Sequence, residues 1–549
     1  MARATPPAPG ALPRGVALPI RCRTCPPANS RFCDQPMRRS GTFTTELKQT
    51  MSLALPIMVA QVGQMLMGLT DTLIVGRLGV APLAAVAFSN TIVTTLFVFG
   101  IGMLTSIGVV SAQAHGAGQW QTKQAVLRIS VWLSTSLGLS LALLVFLAHP
   151  WLPILGQTKV VLLTAEPFLN LLAWSLIPAL GYMGAKIFSD SLGRPTVPML
   201  ILYLAVLTNA FLNWLLVFGN WGAPRLGLEG SAWATILSRW VAMLGTVGYA
   251  LGITNADLRV LSPIHINWSM VKSLLRLGTP VALQYFSEVA AFSYGAIMMG
   301  WIGAGALAAH QIAITCAATT FMFPLGVSQA VSVRIGHVVG RGTQQLIRRI
   351  GFGGLGMSAA IMAGFATLFA LGGRTIAQLF SSDEEVTSIS ASFLLVAGLF
   401  QLADGIQVTA GGALRGLADV RVPMWLAYLF YWGVTIPTAY LLAFVFKAGA
   451  IGIWIGFALG LSLQRPCLPC VLSCSPNPGE LFRWSYLPRD STITQANRTR
   501  MPSSATPVSS VVHVSPADIG RARVRVPVVT ISPAASGGLT RSRARISTR

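Results

Sequence analysis

Acidic side chains occur inside stretches of this chain that are otherwise apolar. Asp71, Glu288 and Asp404 each lie within a run long enough to cross a bilayer. A charged side chain at that depth costs a few kcal/mol or more, about 2.5–3.5 on insertion scales, and such residues usually mark ion or substrate pathways. We therefore predict that the three carboxylates face a cavity and carry a proton or a cation. A hydrogen bond from a protonated acid to a neighbouring helix is the structural alternative.

Amide and aromatic side chains accompany these acids at helical spacing, so each set predicts one face of a helix. Asn209 and Asn213 lie one turn apart in the fifth apolar run and could converge on one ion or proton carrier. For amides, hydrogen bonding between helices is the alternative. We predict that the remaining members of these faces line a cavity: Gln61, Gln64, Tyr285, Gln401 and Gln407.

The elements that hold these residues are apolar helices. The 549 residues are 53% hydrophobic and only 10% charged, whereas soluble domains carry about a quarter charged residues. The sequence therefore predicts an all-α integral membrane protein. Its spans are expected near 53–75, 84–112, 126–148, 162–187, 197–219, 230–252, 274–300, 306–336, 350–371, 388–412, 422–446 and 449–463.

The second half of the chain repeats the first. At an offset of 224 residues the matched positions include Lys48 and Lys272, Pro56 and Pro280, Gly102 and Gly326, and Gly116 and Gly340. The acids are not equivalent under this repeat, because Glu288 aligns with Gln64. An internal duplication of six spans predicts two six-helix bundles of the same orientation, with the substrate site between them.

Five segments are predicted on this basis. Residues 1–45 form a basic, disordered extension, for which a downstream start at Met37 is an equal explanation. The N-lobe covers 46–253, a polar cytoplasmic connector 254–270, and the C-lobe 271–463. The twelfth span is expected to be truncated, since prolines follow Leu463. Residues 464–549 form a disordered tail rich in Arg, Pro and Ser, and a frameshift or fusion is the favoured account.

The charge distribution argues against a nucleic-acid function. The net charge is +23, but 20 of the 39 basic residues lie in 1–50 and 464–549. The loops on the side of the membrane that holds the N-terminus carry twelve basic residues, and the loops on the other side carry five. Because basic loops favour the cytoplasm, we expect both termini there. Arg334, near the end of the eighth span, is expected to snorkel. HExxH and P-loop motifs are missing from the sequence, so we expect neither an enzyme nor ATP-driven transport.

Five segments resemble the multidrug and toxic compound extrusion (MATE) family, in its NorM-like branch. The resemblance spans about residues 46–463 and rests on PIMVAQVGQMLMGLTDTLIVGRLG, NAFLNWLLVFG, EVAAFSYGAIMMGWIGAGALAAHQIAI, FMFPLGVSQAVSVRIG and QLADGIQVTAGGALRGLADVRVP. It implies two six-helix lobes around a V-shaped cavity. It also implies export of varied, often cationic, compounds against inward Na⁺ or H⁺. By motif, Asp71, Asn209, Asn213 and Thr235 would form an N-lobe polar site, and Glu288 and Asp404 a C-lobe cation site.

The sequence departs from the family at two places. Phe400, one turn before Asp404, stands where NorM-like members offer a tyrosine oxygen, and the damaged twelfth span leaves the C-lobe without a closing helix. The expected partners are organic drugs or cations, Na⁺ or H⁺ and the lipid bilayer. No cofactor and no structural metal are expected, and the protein is predicted to be a monomer in the cell inner membrane. A flippase for lipid-linked precursors and an inactive truncated membrane protein remain as alternatives.

Overall fold

The computed structural model describes residues 42–155, 159–256, 262, 267–343 and 345–464. The first lobe consists of α1 (Phe43–Gly76), α2 (Val80–Gly116), α3 (Trp120–Ala148), α4 (Lys159–Trp174), α5 (Leu176–Ser191), α6 (Thr196–Phe218) and α7 (Leu228–Ile253). The second consists of α8 (Trp268–Ile302), α9 (Ala304–Arg341), α10 (Gln345–Gln378), α11 (Glu384–Gly416), α12 (Arg421–Tyr428), α13 (Ile436–Tyr440) and α14 (Gly449–Gln464). The predicted extension to residue 41 and the tail after 464 lie outside the described residues.

These helices make six spans in each lobe, so the predicted all-α architecture of two six-helix bundles is confirmed. Ten segments of the described chain are long and apolar enough to cross a membrane. The helix α8 is 35 residues long but is not among them, because its polar stripe, which includes Glu288, lowers its mean hydropathy. It begins at Trp268, where Asn267 caps the backbone N–H groups of Ser269 and Met270, so the predicted connector is shorter than 254–270.

The fourth span, predicted as one helix, is broken at Ser175. Its two parts are α4 and α5. Pro178 has no N–H and therefore cannot donate to the carbonyl of Trp174. The chain closes the gap with a tighter turn, in which the N–H of Ser175 donates to the carbonyl of Leu172 at 3.1 Å. A buried serine with helical backbone angles thus lies at a tightened turn in the middle of the fourth span.

The eleventh span is also irregular, which the predicted helix over 422–446 did not include. Between α12 and α13 the stretch Leu429–Thr435 forms a π-helix. Because Pro437 lacks an N–H, the ladder shifts there, and the N–H of Ile436 bonds the carbonyl of Tyr431. Such π segments often occur at functional sites.

The twelfth span, which the structure describes up to Gln464, closes the C-lobe. The helix α14 has 16 residues, about 24 Å of helix against a hydrocarbon core of about 30 Å. Its Trp454 is fully buried and stacks on Phe393 and Phe400 at 5.7 and 5.8 Å between ring centroids. The expectation of a C-lobe without its closing helix was therefore wrong, since 16 residues suffice to supply these contacts.

The two lobes meet at the end of the bundle where α1 begins and α2 ends, which we call the closed end. A Cβ on Gly102 of α2 would lie 2.5 Å from the Cα of Ala282 in α8, and one on Gly326 of α9 would lie 2.6 Å from the Cγ of Met58 in α1. These two crossings are the same contact under the 224-residue repeat. Helices approach this closely only where small residues permit it.

Two hydrogen bonds at the closed end obey the same symmetry. Gln113 donates from Nε2 to the carbonyl oxygen of Gly416 at 3.2 Å. His337 contacts the carbonyl oxygen of Ser191 through Nε2 at 2.6 Å. Gln113 and His337 are 224 residues apart, and Ser191 and Gly416 end equivalent helices. Each lobe thus binds the last turn of an equivalent helix in the other, α5 or α11.

Arg334 adds a contact that the repeat does not supply. Its guanidinium forms an ion pair with Glu46 and donates to Thr50 Oγ1 at 2.5 Å and to Gln49 Oε1 at 2.9 Å. The repeat places Val110 opposite Arg334, so this latch occurs once. The expected snorkelling of Arg334 was wrong, because its partners come from α1 in the other lobe.

The helix α1 packs less tightly away from the closed end. Leu53 and Ile57 are buried, whereas Leu69 and Leu73 nearer the other end are exposed. A Cβ on Gly68 would meet no atom within 4 Å. The contacts between the lobes named above therefore lie toward the closed end.

Replacing Arg334 by Ala is expected to open the closed end. The change removes charge-assisted hydrogen bonds, each worth about 1.5–3 kcal/mol, and leaves Glu46 without its partner. Spin labels on the exposed positions Gln121 and Thr343 would report the gap between the lobes by double electron–electron resonance. We expect a longer and broader distance distribution than in the parent.

Arg341→Ala is the matched control, because Arg341 is an exposed arginine of the same helix end. An unchanged distribution in Arg334→Ala, or an equal change in the control, would contradict the role of the latch.

Candidate functional site

Two helices of the N-lobe, α6 and α7, bring polar side chains to Asp71 of α1. Asn209 and Asn213 of α6 donate from Nδ2 to Asp71 Oδ1 at 3.1 and 2.7 Å. Thr235 of α7 donates from Oγ1 to Oδ2 at 3.0 Å. The two asparagines are fully buried and Asp71 is 9% exposed. The four predicted N-lobe residues therefore form one cluster; that they couple transport stays a prediction.

This cluster is arranged around a negative charge. Every hydrogen bond above runs toward the carboxylate of Asp71, which stabilises its ionised form. The Oδ1 atoms of Asn209 and Asn213 are buried without a partner. If an amide turns by half a rotation, its oxygen faces Asp71 instead and can accept from a protonated acid or bind a cation. The cluster can thus accommodate a charged or a neutral Asp71.

The C-lobe cluster has two carboxylates rather than one. Glu288 of α8 is half-buried and Asp404 of α11 is 6% exposed, and their charges interact. The π segment places Tyr431 beside Glu288 and Gln407. The hydroxyl of Tyr431 and Oε1 of Gln407 are buried and make no hydrogen bond of normal geometry. Several oxygens therefore converge with free lone pairs.

Arg415 of α11 supplies the positive charge of this cluster. It lies near Glu288, donates from Nη2 to Ser328 Oγ at 3.0 Å, and stacks over Tyr285 at 5.8 Å from the ring centroid. With Glu288 and Asp404 ionised, the cluster has one uncompensated negative charge. It can attract one monovalent cation or one proton.

Both halves of the chain match one known family. The MatE family model matches residues 56–215 and 280–441. These segments begin 224 residues apart, so the match follows the internal repeat. The chain belongs to the MatE family.

Curated MatE proteins share about a third of their residues with this chain, which confirms the resemblance to the NorM-like branch. The probable multidrug resistance protein NorM of Bradyrhizobium diazoefficiens is 36% identical over 425 residues, which are 76% of this chain and 90% of the relative. The protein of the same name from Rhodopseudomonas palustris is 34% identical over 457 residues, covering 82% and 96%.

Solved MATE structures have the same fold. The eukaryotic MATE transporter AtDTX14 gives a TM-score of 0.72 at 20% identity, covering 80% of this chain and 97% of that one. The Vibrio cholerae MATE transporter VcmN in its bent form gives 0.70 at 19% identity, covering 78% and 97%. At these identities the likeness concerns the fold alone.

The predicted cavity-lining residues of this MatE chain have different environments. Gln64 and Tyr285 are half-exposed, and Gln64 contacts the Met183 sulfur at 3.2 Å. Gln61 is 6% exposed and its Oε1 is unpartnered. Gln401 is 1% exposed and donates to the carbonyl of Ala317 and to Thr320. Gln401 is therefore not cavity-lining in this conformation; it bonds helix to helix, the alternative considered for amides.

Two residues near these clusters were missed at the level of sequence. Tyr431 provides the phenol that Phe400 lacks, from a different span, and Pro437 was the signal that the span is irregular. Arg239 lies in the middle of α7 and donates from Nη1 to Ser175 Oγ at 2.5 Å. A basic residue inside an apolar span is itself a signal of function.

Among the residues described, no group of three or more His, Cys, Asp or Glu side chains could hold a metal ion. The CxxC pairs of the sequence, Cys22 with Cys25 and Cys467 with Cys470, lie outside these ranges.

Asn213→Ala is expected to lower the maximal efflux rate about tenfold. The change removes the shortest hydrogen bond to Asp71, and a bond to a charged group is worth about 1.5–3 kcal/mol. Dye efflux from cells, normalised to protein in the membrane, would measure the loss. Thr208→Ala is the control, because the Thr208 hydroxyl bonds within its own helix to Leu204; equal rates in the two variants would count against the Asp71 cluster.

Proposed function

We propose that this chain is a secondary-active multidrug transporter that exports organic, often cationic, compounds in exchange for Na⁺ or H⁺. The curated relatives named above are described as probable multidrug resistance proteins and align with most of the chain. The observation that carries the proposal is the pair of carboxylate clusters, one in each lobe. Apart from the transported ion, no cofactor is needed.

The closed end is proposed to face the cytoplasm. Basic residues are concentrated in the connections at this end, among them Arg194, Lys272 and Arg348, as the positive-inside rule requires. The structure would then represent the outward-facing state of a multi-pass protein in the cell inner membrane, with both termini inside. Rocking of the two lobes about the closed end would expose the clusters to the other side.

We propose that the C-lobe cluster binds the coupling ion. A hard monovalent cation prefers oxygen ligands, and Glu288, Asp404, Tyr431 and Gln407 offer carboxylate, phenol and amide oxygens. The phenol of Tyr431 would take the part that Phe400 cannot. Since the cluster has one uncompensated negative charge, one Na⁺ or one proton would neutralise it.

The N-lobe cluster, with its single acid, is proposed to take part in substrate or proton exchange. Cationic compounds would be drawn to the acidic faces, while apolar surfaces accept molecules of varied shape. Both clusters lie within a single chain, so a monomer is sufficient for transport. Nucleic acid has no part in this scheme.

Transport by vesicles tests the function and its ion. Purified protein in liposomes loaded with a fluorescent cation should drive movement under an imposed Na⁺ gradient or an imposed pH gradient. Asp71→Asn, Glu288→Gln and Asp404→Asn should each reduce the rate by at least about tenfold while the protein remains in the membrane. Glu384→Gln is the control, because Glu384 is an exposed acid paired with Arg374. Unchanged transport in all three variants would refute the proposal.

Tyr431→Phe tests the ligand role of the phenol. If Na⁺ is the coupling ion, the loss of one oxygen ligand should raise the Na⁺ concentration for half-maximal transport about tenfold, the equivalent of about 1.4 kcal/mol. Tyr440→Phe changes an exposed tyrosine of the same span and should have no effect. An identical Na⁺ dependence in Tyr431→Phe would remove Tyr431 from the ion site.

A further inference from the structure

Arg239 is a cation inside the N-lobe that the two clusters do not account for. It lies on α7 one turn beyond Thr235, so both side chains project from the same face. Thr235 bonds directly to Asp71, and the charges of Arg239 and Asp71 are close enough to attract. The residue is partly buried. A guanidinium is always charged and is costly at this depth, so its position calls for a counter-charge.

The other end of the guanidinium is fixed at the break between α4 and α5. Nη1 of Arg239 donates to Oγ of Ser175 at 2.5 Å. Ser175 is fully buried, and its own hydroxyl proton is used in a bond to the carbonyl of Leu172 at 2.5 Å. The Ser175 oxygen is therefore an acceptor for Arg239. The guanidinium thus bonds the tightened turn between α4 and α5 and is attracted by the charge of Asp71.

The C-lobe lacks this connection. The motif that aligns Leu192 with Leu417 places Phe400 opposite Ser175, and the glycines that open α7 and α14 place Leu461 opposite Arg239. Phe400 and Leu461 both belong to the buried apolar cluster of the C-lobe. An arginine and a serine in one lobe thus correspond to two apolar side chains in the other. The contact of Arg239 with Ser175 therefore has no equivalent at the matched positions of the C-lobe.

We propose that Arg239 is a positioning residue that serves as a tethered counter-cation of Asp71. Arg239 competes with an incoming organic cation for the carboxylate. When Asp71 is neutralised, the guanidinium is released, and its bond to Ser175 transmits this movement to the turn between α4 and α5. The inference rests on the proposed function, in which the N-lobe cluster exchanges cations. It deepens that function, because it makes ligand affinity depend on a charge supplied by the protein.

The charge balance gives the direction of the effect. Asp71 and Arg239 together are neutral, so an organic cation gains attraction only as far as it displaces the guanidinium. Without Arg239 the carboxylate is uncompensated and holds the cation more tightly. Tighter binding also slows release, since most differences in affinity between related complexes appear in the dissociation rate. The affinity for a ligand with no net charge should not change when Arg239 is removed.

Three single variants separate charge from positioning. Arg239→Met removes the charge and the donor, Arg239→Lys keeps the charge, and Ser175→Ala keeps the charge but removes the acceptor. Each would be compared in liposomes for transport of ethidium, a monovalent cation, and norfloxacin, which is net neutral at pH 7. Arg225→Met, an exposed arginine before α7, is the control.

The expected result is a split between KM and maximal rate. Arg239→Met should lower the KM for ethidium about tenfold, as expected for one unit charge at short range, and leave the KM for norfloxacin unchanged. Arg239→Lys should restore the ethidium KM to within about twofold of the parent. Ser175→Ala should keep both KM values and lower the maximal rate several-fold. In Asp71→Asn, adding Arg239→Met should have no further effect on ethidium binding.

Other outcomes overturn the inference. Equal changes in KM for both ligands, or identical behaviour of Arg239→Met and Arg239→Lys, would show that Arg239 only supports packing. If a variant is inactive in transport, ethidium affinity measured by fluorescence polarisation in detergent gives the same comparison. Failure of the parent protein to transport ethidium under either gradient would instead contradict the proposed function.

Discussion

A carboxylate among apolar helices needs donors or a counter-charge, and this requirement shapes both lobes. Around Asp71 two asparagines and a threonine point their hydrogens at the acid, and three helices must stay in register to keep them there. In the C-lobe the hydroxyl of Tyr431 and Oε1 of Gln407 remain without a partner, as do the Oδ1 atoms of Asn209 and Asn213 in the N-lobe. The two lobes therefore share one fold but differ in charge balance, because the N-lobe cluster has one acid and the C-lobe cluster has two.

The same logic explains why the irregular backbone lies where it does. The break at Ser175 and the π segment around Tyr431 occur in the fourth and eleventh spans, each beside a charged cluster. Proline removes a donor in both spans, which frees the local backbone to present a side chain that a regular helix would direct elsewhere.

Sequence reasoning found the features that depend on local pattern. Apolar runs predicted the spans, and the 224-residue offset predicted the two lobes. Both signals depend only on the spacing of residues along the chain. Asp71, Asn209, Asn213 and Thr235 could be grouped by motif. Tyr431 and the partners of Arg334 could not, since they depend on a shift in a hydrogen-bond ladder and on a crossing between lobes. Gln401 was misjudged because an amide on a polar stripe can face a neighbouring helix as well as a cavity.

The paired contacts at the closed end carry information about origin. Gly102 meets Ala282 and Gly326 meets Met58. Since Gly102 matches Gly326 and Met58 matches Ala282 in the repeat, each lobe contacts the other through the same pair of surfaces. This reciprocity defines the isologous interface of a two-fold homodimer. A half-length ancestor with six spans could have assembled through this surface alone, with Gln113 and His337 descending from one position. Arg334 and Arg239 have no arginine at the matched positions of the other half, Val110 and Leu461, so the two copies differ in charge at these places.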